Sequence, residues 1–191
     1  EHAITARSHM LLHVRLDHRP YIVDVGFGGN SIPAPMVMNR ENVQQTSHGA
    51  YRCLLIDGDY WLQVHTNTGW RNMYRFDLTR QHPVDYIAPN YYTSTHEDSH
   101  FRHSVVAARI FQNGRYTLRN NLLTTRYEDG QTEQTVLESA QAAQAALHDV
   151  FGICVPDMTA FAKKWQLLAR GWEMGARPLV REPVQVVAQG A

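Results

Sequence analysis

Short runs of alternating hydrophobic and polar residues fill the first two thirds of the chain, which is typical of half-buried β-strands. Residues 9–16 form the first run, and the turn residues 17–20 separate it from a second run that begins at Tyr21 and ends in glycines. This pattern predicts an antiparallel hairpin. The sequence Asp57-Gly58-Asp59 between two further runs predicts another hairpin. The other predicted strands are 49–56, 60–65, 70–78, 105–111, 116–121, 122–127 and 132–137.

The period of the pattern changes after residue 138. Ser139 precedes a run rich in helix-forming residues that closes at Gly152, and Asp157 precedes a second helical run to about Arg170. Both are preferred residues at helix N-caps. We expect the tail from Ala176 onward to be irregular or extended. The sequence therefore predicts an α+β fold in which an antiparallel β-body precedes helices.

Composition narrows the classes of partner. The chain has 191 residues, 43% of them hydrophobic, and its 18 Lys and Arg balance 18 Asp and Glu. We expect no nucleic-acid partner, because no basic field is available for a phosphate backbone. No apolar run is long enough for a membrane-spanning helix. We therefore expect no membrane partner. Two cysteines form no disulfide framework, which fits a reducing compartment, so we expect a cytoplasmic location. Because the chain begins with Glu1, close to the first strand, we also expect that the start of a longer protein is missing.

His9 and Asp24 are the first candidates for catalysis, on adjacent strands of the predicted hairpin. A carboxylate beside a histidine fixes its tautomer and stabilises its charged form, as general base catalysis requires. The alternative is that Asp24 only caps a strand and His9 is a surface residue. A turn centred on His18 places Asp24 opposite Leu12, some 10 Å along the strand from His9. Contact between the pair would then need a bulge or a shifted turn.

Three further features are ambiguous on their own. The glycines of Gly26-Phe27-Gly28-Gly29 could admit a phosphate or acyl group close to the backbone, or could simply leave a strand. A capping box of Ser94 and Glu97 predicts a short helix with His96, His100 and His103 on one face, which is metal-ligand spacing. Cys53 and Cys154 are both predicted to be small apolar core residues rather than nucleophiles.

Several motifs in order resemble the arylamine N-acetyltransferases, bacterial members especially. They extend from residue 7 to about residue 153. The segments are Ser8-His9-Met10-Leu11-Leu12, Val23-Asp24-Val25-Gly26-Phe27-Gly28-Gly29, Gln45-Thr46-Ser47-His48-Gly49-Ala50-Tyr51-Arg52, Met73-Tyr74-Arg75-Phe76-Asp77-Leu78, Asn90-Tyr91-Tyr92-Thr93-Ser94-Thr95 and Ser99-His100-Phe101.

The resemblance implies a Cys-His-Asp triad that transfers acetyl from acetyl-CoA to an arylamine or arylhydrazine acceptor, as in xenobiotic metabolism, without a metal. His9 and Asp24 match the triad histidine and aspartate. Phe27, Gly28 and Gly29 match residues that line the acetyl-CoA and substrate cleft. Phe101 is similar to an aromatic residue that borders the acceptor pocket.

The implied fold is the cysteine-protease-like acetyltransferase fold, with a helical bundle, an antiparallel β-barrel and an α/β lid. We expect the β-barrel domain at residues 1–100 and the lid domain with C-terminal helices at 101–191. The family's R-G-G-x-C-x-E pattern does not occur here, so the N-terminal helical bundle with the nucleophile becomes a missing partner, and the chain alone is predicted inactive. An amide synthase of the same family and a non-catalytic CoA-binding relative remain alternatives.

Overall fold

A computed structural model describes residues 6–38 and 42–172 together with the main chain of 184–190. The described strands are β1 (Arg7–Leu16), β2 (Arg19–Val23), β3 (Met36–Val37), β4 (Gln44–Thr46), β5 (Gly49–Ile56), β6 (Asp59–Thr66), β7 (Gly69–Asp77), β8 (Val106–Phe111), β9 (Gly114–Arg119), β10 (Leu122–Tyr127), β11 (Thr132–Val136) and β12 (Val184–Gly190). A 3-10 helix (Pro83–Tyr86) precedes the helices α1 (Ile87–Thr95), α2 (His100–His103), α3 (Ala140–Asp149) and α4 (Met158–Trp172). The α+β class is confirmed.

The chain divides into two compact units. The first contains residues 1–96 and 181–191, and the second contains residues 97–180. The expected division between residues 100 and 101, and the lid assigned to 101–191, stay predictions. Of the predicted tail, residues 184–190 form β12, whereas 176–183 lie outside the described residues.

The first unit is built on one sheet with the strand order β3-β2-β1-β12-β7-β6-β5-β4. Strand β12 runs parallel to β1 and β7, and the other pairs are antiparallel. Main-chain pairing does not close this sheet into the predicted barrel, because in the part of the chain that the structure describes β3 and β4 form its two open ends. A side chain joins these ends instead: the amide of Gln44 makes two hydrogen bonds with the main chain of Val37.

The first hairpin has a tight two-residue turn. Leu16 pairs with Arg19, and the intervening Asp17 and His18 have φ angles of 48° and 62°. Two consecutive residues with positive φ match the right-handed twist of the flanking strands. The predicted turn centred on His18 is therefore wrong by half a residue, and Val23 rather than Asp24 lies opposite Leu12.

The inner face of the first sheet carries a continuous apolar core. Alternate residues of the strands point to this face, as the period of two requires. Its fully buried side chains include Leu11, Ile22, Met36, Tyr51, Leu62, Tyr74 and Phe76. The opposite face of β1 is largely uncovered, since Met10, Leu12 and Leu16 are 47%, 40% and 61% exposed.

The second unit is a four-stranded antiparallel sheet, β11-β10-β9-β8, together with helices. Both predicted N-caps are confirmed: Ser139 Oγ accepts the Ala142 N–H at 3.1 Å, and Asp157 Oδ1 accepts the Ala160 N–H at 2.9 Å. Leu118 on β9, Leu147 on α3 and Trp165 on α4 belong to one buried cluster.

The predicted helix that would align three histidines is wrong. Helix α1 already ends at Thr95, and His96 has extended backbone, with φ −65° and ψ 140°. His100 and His103 belong to the separate helix α2. Pro83 stands at the start of the 3-10 helix, where the missing N–H of proline costs no hydrogen bond, and the helical segment therefore begins well before residue 94. Among the described residues, no three His, Cys, Asp or Glu side chains converge as metal ligands would.

Candidate active site

The register of the first hairpin brings Asp24 to the side of the sheet that carries His9. Leu12 pairs with Val23, so the same register places Asp24, the next residue, opposite Leu11. His9 and Leu11 are two residues apart on β1 and therefore share a face, whereas Leu12 points to the other face. A shift of one residue in the predicted register changes the face on which Asp24 lies. This shift removes the geometric difficulty that the sequence presents.

The two side chains are in direct contact. His9 Nε2 lies 3.0 Å from Asp24 Oδ1 and 3.0 Å from Oδ2. Asp24 Oδ1 also accepts the N–H of Gly26 at 3.0 Å, which folds the chain back at the end of β2. The residue Asp24 is 3% exposed and the His9 side chain is 16% exposed. A buried carboxylate therefore holds an imidazole that solvent still reaches.

The surroundings of Asp24 favour its ionised form. Burial raises the pKa of the carboxyl group, but the hydrogen bond and charge of His9, the Gly26 N–H and the Tyr74 hydroxyl together outweigh that effect. The net result is a pKa below the ordinary value of 3.8. An ionised carboxylate only accepts hydrogen bonds, so Nε2 of His9 carries the proton of this contact. In the neutral imidazole, Nδ1 is then the nitrogen that can accept a proton.

Two aromatic rings pack against this pair. The Phe27 ring lies 5.3 Å from the His9 ring and 4.7 Å from the Tyr74 ring, both in edge-to-face geometry. Burial and the negative charge of Asp24 raise the pKa of Tyr74 well above its usual range. Among the described residues its buried hydroxyl has no hydrogen bond of ordinary geometry, although it is close enough to Asp24 for each group to affect the ionisation of the other. The aromatic rings thus limit the freedom of the His9 imidazole.

The sequence alone gives Tyr74 no role at the site. Alternation along β7 could have placed its side chain on the inner face together with Phe76. Its proximity to Asp24 could not be inferred, because in the sheet β7 is separated from β1 by β12, a strand about a hundred residues later in the chain.

The remaining predicted lining residues have different environments. Gly28 has φ of +96°, and a Cβ atom at this position would meet no atom within 4 Å, so the loop leaves open space there. Gly28 and Gly29 are both half-buried. Phe101 lies in the second unit, on α2, where it is 53% exposed and its ring lies 4.0 Å from the ring of His100. The roles of Gly28, Gly29 and Phe101 stay predictions.

The two cysteines differ from each other. Cys53 is 2% exposed, and burial raises the pKa of its thiol to about 12, so it is a core residue as predicted. Cys154 is exposed, so its predicted place in a core is wrong. It follows the end of α3, where Phe151 turns into the core and the next three residues do not.

A cavity of about 330 Å³ adjoins the start of β1 within the first unit. Residues from β1 and from the helical segment before residue 96 line it: Arg7, Ser8, His9, Met10, Gln81, Asp85, Tyr86, Pro89, Asn90 and Thr93. The end of β1 that carries His9 is therefore not filled by the described part of the chain.

The sequence of this chain is similar to those of known proteins. A family model described as N-acetyltransferase matches residues 1–160. The arylamine N-acetyltransferase of Escherichia coli (strain K12) is 39% identical over 157 residues, which are 81% of this chain and 56% of that protein. The chain belongs to the arylamine N-acetyltransferase family.

Solved structures of arylamine N-acetyltransferases have the same fold over most of this chain. The enzyme from Salmonella typhimurium superposes with a TM-score of 0.81 at 30% identity, covering 86% of this chain and 63% of that one. An arylamine N-acetyltransferase from Mycobacterium marinum, solved in complex with CoA, gives a TM-score of 0.81 at 30% identity and covers 86% and 62% of the two chains. The chain spans a little more than half the length of the curated relatives that it matches. None of the described helices is both long and apolar enough to cross a membrane.

Proposed function

We propose that this chain supplies the histidine and aspartate of an arylamine N-acetyltransferase, which transfers acetyl from acetyl-CoA to an arylamine or arylhydrazine. The observation that carries the proposal is the contact between His9 Nε2 and both oxygens of the buried Asp24, at 3.0 Å. Family membership supports the reaction, and the pair supplies the groups that general base catalysis needs.

The nucleophile in this proposal is a cysteine outside the 191 printed residues. Only Cys53 and Cys154 occur in the sequence. The thiol of Cys53 has no access to solvent and a pKa near 12, which opposes formation of a thiolate. Cys154 belongs to the second unit and matches no family motif for the nucleophile.

The proposed chemistry begins at His9 Nδ1, which accepts the proton of the cysteine thiol. The thiolate attacks the acetyl carbonyl carbon, the bond to the sulfur of CoA breaks, and the departing sulfur takes up a proton from the imidazolium. The acceptor amine then attacks the carbonyl carbon of the cysteine thioester and loses a proton to His9. The bond to the cysteine sulfur breaks, the amide leaves, and the cysteine returns with its proton shared between sulfur and imidazole. Asp24 keeps the imidazole oriented and offsets its positive charge in both steps.

The loop after β2 fits this cosubstrate. At Gly28 the backbone is free of side-chain atoms within 4 Å of a Cβ position, so an acyl chain can approach it closely. We therefore place Phe27, Gly28 and Gly29 along the acetyl-CoA path. Phe101 is proposed as a border of the acceptor pocket because of its similarity to an aromatic residue of the family, and its 53% exposure leaves the side chain accessible.

The exposed residues Met10, Leu12 and Leu16 on the outer face of β1 support an additional apolar layer in the intact protein. We assign this layer to the helical bundle that carries the nucleophile. The cavity lined by Ser8, His9 and Met10 lies at the start of the same strand, next to Met10.

The test is an assay of the intact protein with acetyl-CoA and paired acceptors, one aromatic amine and one arylhydrazine. We expect acceptor-dependent release of CoA thiol and formation of the N-acetyl product. Binding of acetyl-CoA without formation of free CoA thiol would favour a non-catalytic relative. Activity only with an acyl chain tethered to a carrier would favour an amide synthase.

A further inference from the structure

The two end strands of the first sheet are joined by a side chain rather than by a ladder of main-chain bonds. Gln44, at the start of β4, accepts the N–H of Val37 through Oε1 at 2.9 Å and donates Nε2–H to the carbonyl of Val37 at 2.8 Å. A side-chain amide that both accepts and donates in this way replaces one peptide unit of a neighbouring strand. Gln44 thereby closes the seam between β3 and β4.

Strand β3 has little other main-chain support. It contains two residues, Met36 and Val37, which pair with Ile22 and Tyr21 of β2. The N–H of Met38 also reaches the carbonyl of Pro20 at 3.0 Å. Both polar main-chain groups of Val37 bond to Gln44, so they would lose their partner if this amide were absent.

The loop between β2 and β3 carries the candidate site. Asp24 is its first residue and Phe27 contacts His9, while Met36 begins the strand at its far end. Ile32 and Met36 anchor the apolar side of this segment in the core. The position of its main chain relative to β1 depends on β2 at one end and on β3 at the other.

We propose that Gln44 is a positioning residue for the His9–Asp24 pair, which acts by fixing β3 and thus the loop that begins at Asp24. Gln44 does not contact His9 or Asp24, so its effect passes through the main chain of Val37. The catalytic effect of Gln44 rests on the proposed acetyl transfer. Its effect on the geometry of the His9–Asp24 pair does not depend on turnover.

The test follows the His9 Nε2–H proton by NMR, because this proton is held against Asp24 and exchanges with water when the contact opens. The variant Gln44→Met keeps the length of the side chain and removes both hydrogen bonds. Gln63→Met is the matched control, since the Gln63 amide also accepts from Arg52 Nε at 2.6 Å and donates to Asn72 Oδ1 at 2.7 Å, in the same unit.

We expect proton exchange at His9 to accelerate by about tenfold in Gln44→Met and to stay unchanged in Gln63→Met. The rates are compared after correction for any difference in melting temperature between the variants. Unchanged exchange in a folded Gln44→Met would overturn the proposal. If that variant does not fold, Gln44→Glu decides: the carboxylate keeps the acceptor and loses the donor, so exchange must accelerate by a smaller factor. Wild-type exchange at the Val37 N–H as fast as in an exposed amide would also overturn the proposal.

An activity assay with the same substitutions in the intact protein separates the two proposals. If the intact wild-type protein transfers no acetyl group, the proposed function fails, while the exchange rates still decide the role of Gln44. If it does, we expect kcat to fall in Gln44→Met and KM for the acceptor to change little.

Discussion

His9 and Asp24 are 15 positions apart in the chain, and the imidazole Nε2 lies 3.0 Å from each oxygen of the carboxylate. The two-residue turn at Asp17 and His18 sets this relationship, because it pairs Leu12 with Val23 and leaves Asp24 on the face of β1 that carries His9. The chemistry of the pair therefore depends on the register of one hairpin.

The first prediction concerns the carboxylate itself. In the intact protein, Asp24→Asn should lower thioester formation by about three to four orders of magnitude, because an amide holds the imidazole in the wrong tautomer. The measurement is the burst of CoA release on mixing with acetyl-CoA. Asp59→Asn is the control. Asp59 forms an ion pair with Arg75 at 3.4 Å and is not part of the His9 site, so its loss should leave the burst unchanged. Normal acetylation by Asp24→Asn would contradict the assigned role.

Tyr74 should affect the acidity of Asp24. Its hydroxyl helps to lower the pKa of that carboxyl group, although His9 has the larger effect. We therefore expect Tyr74→Phe to raise the pKa of Asp24, and by less than His9→Phe does. The measurement is the carboxyl carbon shift of Asp24 against pH. Tyr60→Phe is the control. It alters a ring stacked on Phe76 at 5.3 Å and should leave the pKa of Asp24 unchanged. If Asp24 titrates in Tyr74→Phe as it does in the wild type, the hydroxyl has no effect on this carboxyl group.

The low pKa of Asp24 also predicts how stability depends on pH. A carboxyl group with a lower pKa in the folded state than in the unfolded state stabilises the fold above its unfolded pKa. That contribution disappears as pH falls through the folded pKa, because the proton then binds in both states. With an ordinary value of 3.8, we expect the difference in unfolding free energy between wild type and Asp24→Asn to be largest near neutral pH. It should decrease as the solution is acidified below about pH 4, measured by urea unfolding. A difference independent of pH would show that Asp24 keeps an ordinary pKa.

Most strands and both C-terminal helices could be predicted from the sequence, with ends within two residues, because alternation and N-caps are local signals. The proximity of Asp24 and His9 could not be derived from spacing alone. The turn residues indicate a hairpin, but neither residue with positive φ is a glycine, so the sequence does not mark the exact position of the turn. The contact of Tyr74 with the site depends on pairings between strands that are distant in the chain. The hydrogen bonds of Gln44 to Val37 are made by a side chain, which hydrophobic periodicity does not reveal. The exposure of Cys154 depends on where the chain turns after α3, which periodicity does not specify.

The turn offers a test of the register through stability. His18 has φ of 62°, a conformation that costs a side chain with a Cβ atom about 1 kcal/mol and costs glycine little. We expect His18→Gly to raise the unfolding free energy by somewhat less than about 1 kcal/mol, since glycine also gains entropy in the unfolded state. His148→Gly, in the last turn of α3, should instead destabilise the protein, because there the backbone is helical. Destabilisation by both substitutions would contradict the positive φ at His18.

The last prediction separates the two cysteines and tests whether either is the nucleophile. An alkylating reagent near neutral pH should modify Cys154, which is exposed, and should leave Cys53 intact until denaturant is added. The reason is that Cys53 is buried and its thiol pKa is raised to about 12, so almost no thiolate is present and the reagent has no access. The 191-residue chain alone should then show no acetyl transfer, before or after alkylation. Turnover that disappears in Cys53→Ala or Cys154→Ser would identify a nucleophile within these residues and overturn the assignment of this role to a cysteine outside them.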